Sequence, residues 1–255
     1  MDDREFVGRT ALVTGGSRGI GRAICEKLAG CGARVAINYV SNQGAAEQVC
    51  EAIGRANGSA AMYRADVSDP EQTSGMFDKI EKDLGPVDLL VSNAGIARSG
   101  DNVSMTVEIW QEIMRTNLDG AFHQVWRAKD GMIKRGYGRI VCVSSILGLM
   151  PNPITPERQI AYGTSKAAIF GFVRNCAAAF GPHIRVNGVA PGFIETDLTA
   201  EITKEARDNL IKSTPLKRNG TTGEIAELVH FLLSDKSSFT TGQTYVSSGG
   251  MATLP

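Results

Sequence analysis

The chain predicts an α/β fold on a parallel sheet, and three observations predict it. Short β-prone runs alternate with stretches whose apolar residues recur at helical spacing. One run, Gly138-Arg139-Ile140-Val141-Cys142-Val143, is almost continuously apolar, as a parallel strand covered on both faces should be. The first run passes through a glycine-rich turn straight into a helical pattern, the strand, turn, helix order of an α/β unit.

Length and charge bound what can be built on that frame. The 255 residues suffice for one large domain spanning 1–255, and no repeat, low-complexity tract or linker divides them. Lys plus Arg and Asp plus Glu number 27 each, so no net field attracts nucleic acid or an anionic membrane. The five cysteines, Cys25, Cys31, Cys50, Cys142 and Cys176, lack Cys-x-x-Cys spacing. They read as reduced thiols in a cytosol-like compartment, with neither disulfide nor metal site expected. The charged start has no apolar segment behind it, and no stretch approaches the roughly 18 apolar residues of a membrane helix. A soluble cytoplasmic protein is expected.

The elements follow in order. Residues 9–14 form the first strand, ending in Gly15-Gly16-Ser17-Arg18-Gly19-Ile20-Gly21, with Ala23, Ile24, Cys25, Leu28 and Ala29 at helical spacing beyond it. Gly15 permits the tight turn, Gly19 lets backbone approach a pyrophosphate at the helix N-terminus, and Gly21 lets helix and strand pack closely. The turn predicts a dinucleotide cradle. A second strand at 34–39 ends about 20 residues past the glycines, where an NAD enzyme carries an acidic residue for the adenine ribose. Here stands uncharged Asn38, followed by Tyr39 and Ser41, and Arg18 can pair with a 2′-phosphate, so the expected cofactor is NADPH.

A helix is expected over 43–57 and a third strand over 60–65, leading to Asp66 and Val67, where Asp66 can meet the adenine. Ser68 or Asp69 caps the helix that opens at Pro70, with Asp69 favoured. The fourth strand, 87–92, closes in Asn93-Ala94-Gly95, which reads equally as a platform for a flat ring and as an ordinary turn. Residues 107–135 read as one helix with Asn117 in its middle, either solvated or held by a kink, its side chain able to anchor a water. The strand at 138–143 ends in Ser144-Ser145. Pro151, Pro153 and Pro156 make the next stretch an irregular connection. A helix over 160–180 carries Tyr162 and Lys166, and a sixth strand at 183–189 leads into Ala190-Pro191-Gly192-Phe193-Ile194-Glu195-Thr196. Residues 193–220 suit a flap over a pocket; a helix at 224–233 and a strand at 244–247 complete the chain.

The spacing Tyr162-x-x-x-Lys166 sets a phenol and an ammonium on one helix face. A phenol of pKa about 10 is a poor proton shuttle at neutral pH, and a neighbouring cation favours its ionised form. Tyr162 is therefore a candidate general acid or base.

Taken together, Thr14-Gly15-x-x-x-Gly19-x-Gly21, Asn93-Ala94-Gly95, Asn117, Ser145, Tyr162-x-x-x-Lys166 and Pro191-Gly192 resemble the short-chain dehydrogenase/reductase family over nearly the whole chain. Within it, residues 188–197 and the 17–21 turn look most like the 3-oxoacyl-acyl-carrier-protein reductases. The resemblance implies a single doubly wound Rossmann-type domain with seven parallel strands in the order 3-2-1-4-5-6-7. It implies that Ser145 hydrogen-bonds the substrate carbonyl, Tyr162 gives the proton, Lys166 holds the nicotinamide ribose and lowers the Tyr162 pKa, and Asn117 supports a water. Ser144 is the rival to Ser145. The backbone of Ile194 and Thr196 are expected at the carboxamide and pyrophosphate, and Gln159 and Phe193 at the substrate. A homotetramer packed through the 107–135 and 160–180 helices is the family expectation.

The chain departs from those reductases in places. The connection from Ser145 to Tyr162 is about four residues longer, which reshapes the entrance. The stretch 174–183 lacks the usual acidic residue and terminal basic residue, weakening an acyl-carrier-protein partner, with Lys134, Arg135 and Arg139 as possible substitutes. Three functions therefore stand: an NADPH-dependent 3-oxoacyl thioester reductase, an oxidoreductase of small ketones, sugars or cyclic alcohols, and a noncatalytic NADP-sensing module.

Overall fold

In the computed structural model, which describes residues 4–98, 100–155, 157–196 and 203–253, seven parallel strands form one sheet in the order β3-β2-β1-β4-β5-β6-β7. They are β1 (Thr10–Val13), β2 (Arg34–Tyr39), β3 (Ser59–Arg64), β4 (Val87–Ser92), β5 (Gly138–Val143), β6 (Ile184–Pro191) and β7 (Thr244–Ser247). This is the doubly wound architecture expected. The strand order reverses beside β1, so the C-terminal ends of β1 and β4 flank a crevice where ligands of such sheets bind.

Alternate residues along each strand feed opposite faces, giving two apolar cores. Ala11, Val13, Val35, Ile37, Val91 and Val189 pack under α1 (Gly19–Gly30), α2 (Gln43–Arg55) and α8 (Thr222–Leu233). Leu12, Ala36, Leu90, Ile140 and Val186 pack under α3 (Pro70–Asp83), α5 (Gly120–Arg135) and α6 (Ile160–Phe180). Helix starts follow the predicted chemistry at α3, where Asp69 accepts the Glu71 and Gln72 N–H groups. At α8 Thr221 and Glu224 form a reciprocal capping box.

The expected single helix over 107–135 is three segments. α4 (Val107–Met114) gives way to a π-helical stretch, Arg115–Asp119, before α5 resumes. Apolar periodicity runs through all three, so the pattern could not reveal the insertion; Asn117 at its centre marks it.

The expected flap holds α7 (Lys204–Ser213), and its root is pinched where Gly220 N–H donates to Phe193 O and Glu195 N–H to Gly220 O, both at 2.9 Å. Pro156, Asp197 and the rest of 197–202 lie outside the described residues. Among the described residues, no helix is long and apolar enough to cross a membrane.

Candidate active site

The predicted residues gather at the C-terminal ends of β1, β4, β5 and β6. The glycine turn comes first. Gly15 and Gly19 adopt φ of 62° and 55°, and a Cβ on Gly21 would lie 2.2 Å from the Gly15 carbonyl oxygen. Only glycine lets the helix close on the turn. α1 starts at Gly19 with no side-chain cap and no acidic residue in its first turn, so its leading N–H groups are left for an anion, as a dinucleotide pyrophosphate requires. Ser17 and Ile20 line the half-buried turn, and Arg18 stands exposed.

Two asparagines shape this cradle. Asn93 Nδ2 donates to Thr14 O at 2.8 Å and Gly15 O at 3.2 Å, clipping the end of β4 to the turn, while Thr14 Oγ1 accepts the Asn93 and Ala94 N–H groups. Asn38 is fully buried: its Nδ2 donates to Ala65 O at 2.9 Å and its Oδ1 accepts the Gly15 N–H at 3.3 Å. This corrects the expectation of a direct nucleotide contact, because its amide is spent joining β2, β3 and the turn. Tyr39 is also buried, whereas Ser41 is exposed. Sequence reasoning missed exposed Arg64, whose Nε donates to Val40 O at 3.0 Å at this same edge. Asp66 accepts the Ser68 N–H in a local turn, and Val67 is buried beside it. On the far side, Gly192 N–H donates to Ser247 O, buried Ile194 bridges Gly220, and Thr196 Cγ2 comes within 3.5 Å of where a Gly19 Cβ would be. Pro191 closes β6.

The serines divide sharply. Ser144 Oγ donates to Lys166 O at 2.7 Å, a buried tie between β5 and α6. Ser145 Oγ accepts the Leu147 N–H at 3.2 Å, and the Ser145 side chain acts on the Tyr162 phenol against the rise that burial causes in its pKa. Ser145 thus stands with the phenol.

Lys166 is buried, its Nζ donating to Val143 O at 2.9 Å and lying 5.7 Å from the Tyr162 ring centroid. A Cβ on Gly95 would be 3.2 Å from that ammonium and 3.3 Å from Asn117 Oδ1, so the end of β4 lies against both. Burial brings the Lys166 pKa down to about 8. Burial also pushes the Tyr162 phenol above its ordinary value, with the Ser145 hydrogen bond acting the other way. The expected lowering of Tyr162 is not met by the chain alone: desolvation outweighs its neighbours.

Asn117 Oδ1 accepts the Ile96 N–H at 2.7 Å, and its Nδ2 donates to Ile96 O and Ser165 Oγ at 3.0 Å each. Its side chain therefore ties the Ile96 backbone to the Ser165 hydroxyl. Gln159 precedes α6 in a left-handed conformation, φ 62°, and its Oε1 accepts from Asn152 Nδ2 in the proline-rich connection. Phe193 sits instead at the flap root, in a cavity with Leu216, Arg218 and Ser248. Lys134, Arg135 and Arg139 fall at the end of α5 and start of β5, at the N-terminal end of the strands and so opposite the end that carries Tyr162; Arg135 binds Val87 O and Arg139 pairs with Asp235. They do not replace a docking patch at the entrance. Asp101, also missed, holds the start of α6 from a loop with no periodic signal.

A dinucleotide cradle opening onto Ser145, Tyr162 and Lys166 at the end of a doubly wound sheet defines a nicotinamide oxidoreductase. A family model described as enoyl-(acyl carrier protein) reductase matches residues 15–252. The 3-oxoacyl-[acyl-carrier-protein] reductase FabG of Escherichia coli (strain K12) is 40% identical over 247 residues, covering 96% of this chain and 98% of that protein. A solved 3-oxoacyl-[acyl-carrier protein] reductase from Brucella melitensis ATCC 23457 is 33% identical with a TM-score of 0.92, covering 98% of this chain and 94% of that one. Another from Brucella melitensis, with bound NAD, is 32% identical with a TM-score of 0.88 and the same coverage. The chain belongs to the short-chain dehydrogenase/reductase family and is an NAD(P)-dependent oxidoreductase acting on ketone and CH–OH groups.

Proposed function

We propose that this enzyme reduces the ketone of a 3-oxoacyl thioester with NADPH, and the observation that carries the reading is the Tyr162 phenol having as neighbours Ser145 and the buried Lys166 ammonium, the latter 5.7 Å from its ring centroid. A nicotinamide dinucleotide supplies a hydride when bound. The glycine turn and the first turn of α1 would hold its phosphates with Thr196 beside Gly19, and Gly95 and the Ile194 backbone would hold its nicotinamide end. Ser145 Oγ donates to the carbonyl oxygen and orients it. Tyr162, kept protonated at neutral pH by burial, gives its proton to the same oxygen as negative charge develops there. Lys166 binds ribose hydroxyls, and Asn117 keeps Ile96 and Ser165 in register beneath the site.

For the 2′-phosphate, the chain offers exposed Arg18 in the glycine turn and exposed Arg64, whose Nε donates to Val40 O next to Ser41, and β2 carries Asn38 where an NAD enzyme carries a carboxylate. The family expectation of a homotetramer is supported by Phe122 and Trp126, 40% and 45% exposed and packed together at a 34° tilt with ring centroids 4.6 Å apart on α5. Balanced charge fits a cytoplasmic enzyme.

A second reading, small ketones, sugars or cyclic alcohols, is favoured by the polar Asn152–Gln159 pair at the entrance. A turnover panel of acetoacetyl and crotonyl thioesters, cyclic ketones and sugar ketones tests the choice. Acetoacetyl thioester should be reduced fastest; preference for a sugar or cyclic ketone would transfer the assignment to the second reading. Tyr162→Phe should bind NADPH and lose turnover, and parent-like turnover would remove the proton donor. In the same assay NADPH should be preferred over NADH, with Arg18→Ala and Arg64→Ala each lowering that preference about tenfold. Parent NADH preference would reverse the cofactor assignment.

A further inference from the structure

Asp101 is 1% exposed and lies in the loop between β4 and α4, sixty positions from the helix it serves. Its Oδ1 accepts the Ala161 N–H at 2.8 Å, its Oδ2 accepts the Tyr162 N–H at 2.9 Å, and its backbone carbonyl accepts the Gln159 N–H at 2.7 Å. The first N–H groups of a helix have no partner within it, and an anion there is further favoured by the helix dipole. Gln159, the residue before α6, supplies no side-chain cap, so the carboxylate takes that place from a distant segment.

A cap needed only for stability can hold any first-turn amide. This one holds the amide of the candidate proton donor. Its three contacts also pin the chain at Gln159, where φ of 62° in a non-glycine residue is strained and persists only when the surroundings dictate it. The same segment starts at Gly95, against Lys166 and Asn117, is clamped at Ile96 by the Asn117 amide, and bridges Arg158 through Asn102. Residues 95 and 96 thus lie against Lys166 and Asn117, while Asp101 and Asn102 hold the start of α6 and the residue before Gln159.

We propose that Asp101 is a positioning residue that sets where the Tyr162 hydroxyl stands relative to Ser145 and to the nicotinamide seat. The inference rests on the reading of Tyr162 as proton donor and deepens it. A shift of about 1 Å in a reacting group can cost about a hundredfold in rate, so a cap at this amide has catalytic leverage.

Asp101→Ala and Asp101→Asn test it, assayed with NADPH and acetoacetyl thioester, or the panel ketone turned over fastest. Turnover is normalised to NADPH sites titrated by fluorescence, which removes unfolded protein from the comparison. For Asp101→Ala, kcat should fall at least about tenfold, with KM and the NADPH dissociation constant within about twofold. Asp101→Asn keeps one acceptor oxygen and should recover part of the loss, and in both variants the alkaline limb of the kcat profile against pH should move. Parent-like kcat and pH profile per site would overturn the proposal. Failure of both variants to bind NADPH would assign Asp101 to stability alone and overturn it equally. Tyr162→Phe runs alongside: if it turns over, the donor reading falls whatever Asp101 does. If it is inactive beside parent-like Asp101 variants, only the Asp101 proposal falls.

Discussion

Lys166 shows how function is set against stability in one side chain. Its ammonium is almost wholly removed from water, with one described acceptor, Val143 O, and its pKa falls from 10.5 to about 8. The folded chain therefore binds that proton less tightly than the unfolded chain, so the charge costs stability at pH values below about 8. The cost fades as pH rises towards 10.5, where neither state holds the proton. The gap between the two values corresponds to on the order of 3 kcal/mol. Lys166→Met, of similar length, should unfold at higher denaturant than the parent at pH 7 and lose that advantage by about pH 10.5, while losing turnover. Denaturant titrations across that range check it, and an unchanged or lowered midpoint at pH 7 would contradict the burial cost.

Elements bring these side chains together through close backbone approaches. A 3-10 turn, Ile146–Gly148, begins at Ser145 and rests on α6, and a Cβ on Gly148 would lie 2.7 Å from Ala167 N and 2.8 Å from Lys166 C. Those are backbone atoms and cannot yield as a flexible side chain would. Gly148→Ala should push the turn off α6, carrying Ser145 from Tyr162. The expected loss is about 1–3 kcal/mol of stability and a larger proportional loss of kcat than of NADPH affinity. Thermal melts with parallel kinetics test this; parent-like kcat would show that the turn adjusts without moving Ser145. The π-helical stretch works similarly: it turns Asn117 inward, where all three of its amide contacts are taken.

Across the whole molecule, the two apolar cores leave a pair of adjacent aromatic rings uncovered on α5. Phe122 and Trp126 on α5, with Trp126 5.9 Å from the Phe180 ring on α6, lie on the outside of the second helical layer. That face suits a second copy of the chain. Trp126→Asp should lower the sedimenting mass of the assembled enzyme, and a parent that sediments as a monomer would refute the interface.

Alternating strands and helices, the near-continuous apolar run of β5 and the glycine turn were enough to predict an α/β fold on a parallel sheet, because periodicity and glycine geometry are local, while the doubly wound strand order came from the resemblance. The order of Ser145, Tyr162 and Lys166 along the chain was likewise legible from the resemblance. What residues 107–135 concealed was a π-helical stretch, since one extra residue per turn leaves the apolar pattern nearly intact. Nor could sequence separate Ser144 from Ser145 by chemistry, show Asn38 turning inward, or connect Asp101 to Tyr162. Those outcomes depend on which hydrogen-bond partners lie within about 3 Å across distant segments. The chain's own order thus determined the fold and the chemical type of the site, while tertiary packing decided which polar atoms hold the structure together and which are left to face a ligand.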